Sequence, residues 1–339
     1  MFDVINTLPV GFLHIDAREL YTILPRPTLI HLPGKLEPAL FISILAHGNE
    51  TVGLFAVQQL LQRYEGRELP RALTIFVSNV SAAKEGVRVL PGPNPVIIRL
   101  PRHPTVKCRE QEMMAEIVAI MRKRGVFLSV DVHNNTGLNP HYSCVNKLDD
   151  RFLKLATMFD RTVVYFTRPV GVQSLAFAAL CPAVTLECGK VGDKLGVDHA
   201  AEYLDACLRL HQFEHTPVRA QDIDLFHTVA AVYIDPDVRF SFDEQDHTEM
   251  LLFRDVEFYN FRELSAGTSF ARLEDDDLGH FIVRDEHGNQ ITEQYFYIEN
   301  HIVKLKRSVM PSMMTLDTRV IRQDCLCYFM ERCAYQGVV

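Results

Sequence analysis

Over the first two thirds of the chain, two patterns of hydrophobic and polar residues alternate. Short, continuous apolar runs rich in β-branched residues read as buried strands, and stretches with apolar residues three or four apart read as amphipathic helices. Ala39 to Leu45 (ALFISIL) is such a run, and it stops at His47-Gly48-Asn49-Glu50. Val52, Phe55, Leu60 and Leu61 then recur at helical spacing, so HGNE sits at a strand-to-helix junction. The alternation continues through the strand LTIFVSN, a Gly/Pro-rich segment from Gly86 to Pro104, a helix from Glu110 to Arg124 and the strand FLSVDVH. A helix from Asp149 to Phe159, the strands TVVYF and AVTLEC, and a helix from His199 to Gln212 complete it. Strands alternating with helices predict an α/β fold with a mixed, mostly parallel, doubly wound sheet.

In such sheets, sites form beyond the carboxyl ends of the strands, and His47, Asn79, His133 and Glu187 all stand at or just past predicted strand ends. Beyond Thr216-Pro217 the pattern changes to short alternating runs (TVAAVYI, HFIVRD, QYFYIE, HIVKLK, CLCYFM) separated by Asp, Gly, Asn and Pro. The chain is therefore expected to divide into an α/β domain over 1–216 and a smaller β-rich domain over 217–339. Within the latter, His287-Gly288-Asn289-Gln290 repeats HGN but carries Gln at the fourth position, and reads as a hairpin turn.

Composition narrows the functional classes. The 339 residues are 47% hydrophobic, and 35 Lys and Arg against 43 Asp and Glu give a net charge of -8. Disorder and general nucleic-acid binding are excluded as expectations. The apolar stretch from Leu175 to Leu186 is broken by Pro182 and is well short of the roughly 20 residues a membrane span needs, so it reads as buried core. Eight cysteines without paired CxxC units, and a start (MFDVINTLPVGFLHIDAREL) lacking the signal-peptide pattern, predict a cytoplasmic protein with reduced thiols, compatible with a homo-oligomer.

A catalytic zinc site takes three ligands from His and carboxylates and keeps one position open. His47 and Glu50, three residues apart across a helix start, can turn toward one ion, and His133 in Asp131-Val132-His133-Asn134-Asn135-Thr136-Gly137 is the third candidate. Asp131 shares a strand face with His133 by period-two alternation, which suits it to accept the proton of a ligand imidazole.

HGNE, DVHNNTG and Thr185-Leu186-Glu187-Cys188-Gly189 together resemble the motifs of the zinc carboxypeptidase clan, in particular its succinylglutamate desuccinylase/aspartoacylase family, over Pro38 to Gln212. The resemblance implies a zinc carboxypeptidase-like fold and one Zn2+ per chain held by His47, Glu50 and His133. It also implies Glu187 as general base and acid. Asn79 followed by Arg88 is similar to the family's N-P-x-A-x-x-x-x-x-R stretch, with Val80 where Pro is usual, which implies Arg88 as the carbonyl-polarising arginine. Where the family continues with D-L-N-R, this chain reads Pro91-Gly92-Pro93-Asn94-Pro95-Val96-Ile97-Ile98-Arg99. Asn94, Arg99 and Arg102 are available there to meet a substrate carboxylate, and Arg99 is the candidate. A second family arginine before the catalytic Glu is replaced by Gln173 and Ser174, with Arg168 the nearest basic residue, so dicarboxylic substrates lose support.

Asn79, Asn134, Asn135 and Thr136 are further candidates for binding substrate. The segment HNNTGLNPHYSCV, which includes His141 and Tyr142, reads equally as a run of turns. The expected function is a zinc-dependent amidohydrolase that cleaves an N-acyl amino acid or related small amide by metal-activated water. The alternatives are a metallocarboxypeptidase acting on short peptides and a degenerate, non-catalytic small-ligand binder.

Overall fold

The structure, a computed structural model, describes residues 2–90, 109–213 and 217–335. The chain forms two compact units. One comprises Met1–Asn134, His141–Leu225 and Ala334–Val339, and the other Asn135–Pro140 and Phe226–Cys333.

In the first unit, eight strands are laid out in chain order as β1 (Asp3–Ile5), β2 (Thr28–Leu32), β3 (Gly34–Ile44), β4 (Leu69–Val77), β5 (Val126–Asn135), β6 (His141–Val145), β7 (Thr162–Tyr165) and β8 (Ala183–Lys190). Their order across the sheet is β1-β2-β4-β3-β5-β8-β6-β7. The pairs β1/β2, β3/β4, β3/β5 and β6/β7 are parallel, whereas β2/β4 and β6/β8 are antiparallel. The helices are α1 (Val52–Gln62), α2 (Val80–Glu85), α3 (Arg109–Arg124), α4 (Asp150–Thr157), α5 (Gln173–Phe177) and α6 (Lys194–Arg209).

Helices cover both faces of this sheet. Phe41 of β3 stacks on Phe177 of α5 with ring centroids 4.2 Å apart. Ile44 lies under α1, where a Cβ on Gly53 would come within 2.8 Å of its side chain. Positions 41 and 44 are an odd number apart, so they face opposite sides of the strand. Continuous apolar runs such as Leu40, Phe41, Ile42 and Ile44, all fully buried, are what a sheet covered on both sides requires. The stretch from Leu175 to Leu186 splits between α5 and β8, and no helix among the described residues is long and apolar enough to cross a membrane.

Two elements differ from the sequence expectation. The segment His141–Val145, read above as part of a turn-rich loop, is strand β6, paired with β8 so that Tyr142 lies opposite Glu187. The helix expected from His199 begins at Lys194, with the Asp193 side chain accepting from Leu195 N. Gly196 disguises that start: a Cβ there would lie 2.2 Å from Cys188 O, so glycine is what lets α6 approach β8.

The second unit is β-rich. One set of antiparallel strands is β9 (Asp224–Ile234), β13 (Phe281–Asp285), β16 (Met310–Ser312) and β17 (Cys327–Arg332), and a separate five-stranded sheet runs β10 (Phe240–Ser241), β11 (Met250–Leu252), β12 (Ser269–Leu273), β15 (Ile302–Leu305) and β14 (Phe296–Glu299). Phe270, Phe281, Phe296 and Phe329 are fully buried and meet in its core. His287-Gly288-Asn289 forms a turn after β13: Asp285 accepts from His287 N and Asn289 N, and Gly288 takes a φ of +86°.

A buried cation ties the first sheet to the end of α6. Arg71 of β4 is 1% exposed. Its Nη1 donates to Pro38 O, its Nη2 donates to Leu210 O and His211 O, and its guanidinium stacks on Phe127 at 3.6 Å. Arg71→Met keeps the apolar stem but strips three carbonyls of their donor. It is expected to lower unfolding free energy by about 3 kcal/mol. Urea denaturation followed by circular dichroism checks this, and a loss below about 1 kcal/mol would show that the carbonyls find other donors.

Candidate metal centre

The loop after β3 is anchored to the loop after β4. Asn79 N donates to Leu45 O (2.8 Å), and the Asn79 side chain caps α2 by accepting from Ala82 N. Gly48 N donates to Arg88 O (3.0 Å). A Cβ on Gly48 would lie 2.2 Å from Ala82 C and Ala83 N, so only glycine lets this loop lie against α2. His47 and Glu50 are thereby fixed over the ends of the parallel strands β3 and β4, next to β5, which carries His133.

The three residues converge: a ligand atom from each of His47, Glu50 and His133 lies within 4.8 Å of the other two, and the group could hold a metal ion. His47 Nδ1 is 2.9 Å from Glu50 Oε1, and His133 Nδ1 is 2.8 Å from Glu50 Oε2. Arg88 Nη1 donates to Glu50 Oε1 at 2.6 Å. Behind the cluster, His133 Nε2 donates to Asp131 Oδ2 (3.0 Å), and Asp131 Oδ1 accepts from Ser43 Oγ (2.5 Å).

Burial opposes charge throughout the cluster, and specific partners decide the outcome. Burial pushes the Glu50 carboxyl up, but His47, Arg88 and His133 outweigh it and hold the group well below the usual carboxylate range. Burial also opposes a charge on His133, yet Asp131 and Glu50 raise its pKa well above the ordinary histidine value. For His47 burial prevails and its pKa is lowered, despite Glu50.

Whether these residues suit a metal is tested by one atom. His47 Nδ1 is buried beside Glu50 Oε1, but the contact lacks hydrogen-bond geometry and the nitrogen has no hydrogen-bond partner. Buried polar atoms are rarely left so. An unbonded ring nitrogen beside a carboxylate oxygen, with a second imidazole close by, is what a common cation would use, and two His with one Glu is a donor set that zinc accepts.

Glu187, on β8, is 8% exposed, and its carboxyl is pushed up to about 8, chiefly by burial. Glu50 and Asp131 add to the rise while His133 and Arg88 oppose it, so Glu187 lies within electrostatic reach of all four. Asn134 is a buried brace: its Oδ1 accepts from Val52 N at the start of α1 and its Nδ2 donates to Gly189 O. Asn135 ends β5, and both it and Thr136 belong to the second unit. His141 pairs in register with Cys188, one position along from Glu187, and so faces the other side of the sheet; there its Nδ1 meets His199 Nδ1 at 2.9 Å. Asn94, Arg99 and Arg102 lie outside the described residues. Sequence reasoning missed Ser43, whose only signal was a hydroxyl inside the apolar run ALFISIL.

The sheet order, the helices on both faces and the position of the cluster define a zinc carboxypeptidase-like fold. Solved structures of the succinylglutamate desuccinylase/aspartoacylase family share it. The chain is 16% identical to the succinylglutamate desuccinylase/aspartoacylase from Rhodobacter sphaeroides, covering 89% of this chain and 88% of that one with a TM-score of 0.54. For murine aminoacylase 3 the identity is 12%, the coverage 90% and 100%, and the TM-score 0.52. For the product-bound ectoine utilization protein EutE (DoeB) from Ruegeria pomeroyi the values are 15%, 83% and 88%, and 0.50. No protein-family model matches the sequence, and no curated protein matches it. At these identities the likeness is one of fold.

Two outcomes are expected. Gly48→Ala forces the His47 loop off α2 and should weaken zinc binding at least about tenfold, read by competition with a chromophoric chelator; unchanged affinity would mean the loop adapts. The second concerns pH in metal-free protein. Glu187 ionises near its ordinary value of 4.5 when unfolded but only at about 8 when folded. Between these values the unfolded chain alone has lost the proton, so this group's contribution to stability is present below pH 4.5 and is lost as pH rises to about 8. Glu187→Gln should flatten that decline in denaturation curves, and parallel pH profiles for the two proteins would refute the burial argument.

Proposed function

We propose that the chain is a zinc-dependent amidohydrolase that cleaves an N-acyl amino acid or a related small amide. The observation that carries this reading is the convergence of His47, Glu50 and His133 with a buried acid, Glu187, in electrostatic reach. The fold's occurrence in structures named as a succinylglutamate desuccinylase/aspartoacylase and an aminoacylase supports the same substrate class.

His47 and His133 through Nδ1, and Glu50 through its carboxylate, would hold the ion. Bound there, zinc supplies Lewis-acid chemistry, lowering the pKa of a water toward neutrality and drawing charge from an acyl oxygen. Glu187 takes the proton from the attacking water and returns it to the leaving nitrogen as the C–N bond breaks, yielding a carboxylic acid and an amine. A carboxyl pKa near neutrality suits both halves of that exchange, and burial is what moves Glu187 there. Arg88, pinned by Glu50, puts a fixed positive charge beside the cluster, where the acyl oxygen gains negative charge. Asp131 fixes the tautomer and orientation of His133.

The test is amine release from a panel of N-acetyl, N-formyl, N-succinyl and longer N-acyl amino acids, alongside dipeptides, with and without chelator. Chelator-sensitive cleavage of an acyl amino acid, restored by zinc, is expected. Glu187→Gln should keep its zinc while kcat falls by at least about 100-fold. Turnover within about tenfold of the parent would remove Glu187 from the proton transfer.

A further inference from the structure

We propose that Ser43 is a positioning residue for the metal centre: its hydroxyl holds the Asp131 carboxylate in the orientation that turns the Nδ1 edge of His133 toward Glu50 and His47. The inference rests on the reading that this cluster binds a divalent cation.

Ser43 is 3% exposed and stands in an otherwise apolar stretch of β3, between the fully buried Ile42 and Ile44. Alanine or valine would fill that space without the cost of burying a hydroxyl, so the serine is explained by its partner. That partner is Asp131, 4% exposed, which lies opposite Ser43 in the parallel register of β3 and β5. The Ser43 Oγ to Asp131 Oδ1 distance of 2.5 Å is that of a charge-assisted bond. A carboxylate only accepts, so the hydroxyl donates to Oδ1 and the His133 Nε2–H donates to Oδ2 at 3.0 Å.

With both Asp131 oxygens engaged, the carboxylate cannot turn about its own axis without breaking a bond. His133 is then held with its Nδ1 edge turned to Glu50, whose Oε2 lies 2.8 Å away. Ser43 also lies four residues before His47 on the same chain segment. One hydroxyl therefore links the strand that leads to His47 and Glu50 with the strand that carries His133.

The experiment is zinc affinity by competition, measured on the parent, Ser43→Val, Ser43→Thr, Asp131→Asn and the double variant Ser43→Val/Asp131→Asn. Valine and threonine have the same shape and differ by the hydroxyl. Ser43→Val should weaken zinc binding about tenfold and Ser43→Thr should stay within about threefold of the parent, the range expected for a group that orients a ligand. In the Asp131→Asn background the valine substitution should add nothing, because the group it acts through is already lost. A hydroxyl with only a packing role would change the melting temperature of the metal-free protein and leave affinity alone. Parental affinity in Ser43→Val, or an undiminished effect in the Asp131→Asn background, overturns the proposal. Should β3 reject both branched residues, Ser43→Ala replaces valine with the same two criteria. A parent that binds no zinc overturns the metal-centre reading itself, which separates that failure from a failure of Ser43.

Discussion

A carboxylate with 1% of its surface exposed, Glu50, sets the terms for the loops around it. An isolated buried charge would cost several kcal/mol, so it has to be met by donors, and no single segment supplies enough of them. Arg88 comes from the segment after α2, His133 and the Asn134 N–H come from β5, and His47 of the same loop stands beside Oε1 without bonding to it. These segments meet only because β4, β3 and β5 are neighbours in that order and run parallel, so that their carboxyl ends open on one side. Gly48 contributes by having no side chain, since the backbone of α2 occupies the space a Cβ would need.

The two carboxylates of the region are driven in opposite directions by what surrounds them. Glu50 has positive and donating partners at both oxygens and stays ionised, whereas for Glu187 burial prevails over the opposing pull of His133 and Arg88, with Glu50 and Asp131 adding to the rise. In the proposed hydrolysis this difference divides the labour, with one acid permanently charged to hold a cation and the other poised to gain and lose a proton. Residue type alone would not separate them. The separation depends on Arg88 and His47 standing against Glu50.

Where the sequence was legible, the reason is that physics constrains residue type at single positions. Leu40 to Ile44 and Ala183 to Leu186 are buried on both faces and mostly apolar, so these strands showed as near-continuous runs. HGNE and DVH showed because polar groups that end an apolar run stand out, and because the close approach of the Gly48 loop to α2 allows no side chain there. Strand β6 did not show, because its polar residues are buried by particular distant partners: Ser143 Oγ donates to Ala156 O, and His141 meets His199. The start of α6 was hidden by Gly196, which reads as a break in sequence but is required by the contact with Cys188 O. Ser43 escaped for a similar reason, since its importance lies in a cross-strand register that spacing along the chain does not express.

The pairing of Arg88 with Glu50 bears on whether one carboxylate can serve both an arginine and a cation. A carboxylate has about four lone-pair sites, and Glu50 spends one of them on Arg88 Nη1 at Oε1 and, at Oε2, two on His133 Nδ1 and Asn134 N. Its Oε2 faces His133 Nδ1, and His47 Nδ1 stands near Oε1 without hydrogen-bonding to it. One site is therefore left at Oε1, the oxygen that His47 Nδ1 stands beside. Arg88 need not be displaced for Glu50 to act as a ligand, and its ion pair holds the guanidinium at the edge of the cluster. That places a permanent positive charge next to the cluster at little entropic cost, since the side chain is already ordered, and in the proposed hydrolysis charge fixed before the reaction is the kind that stabilises a developing oxyanion most effectively.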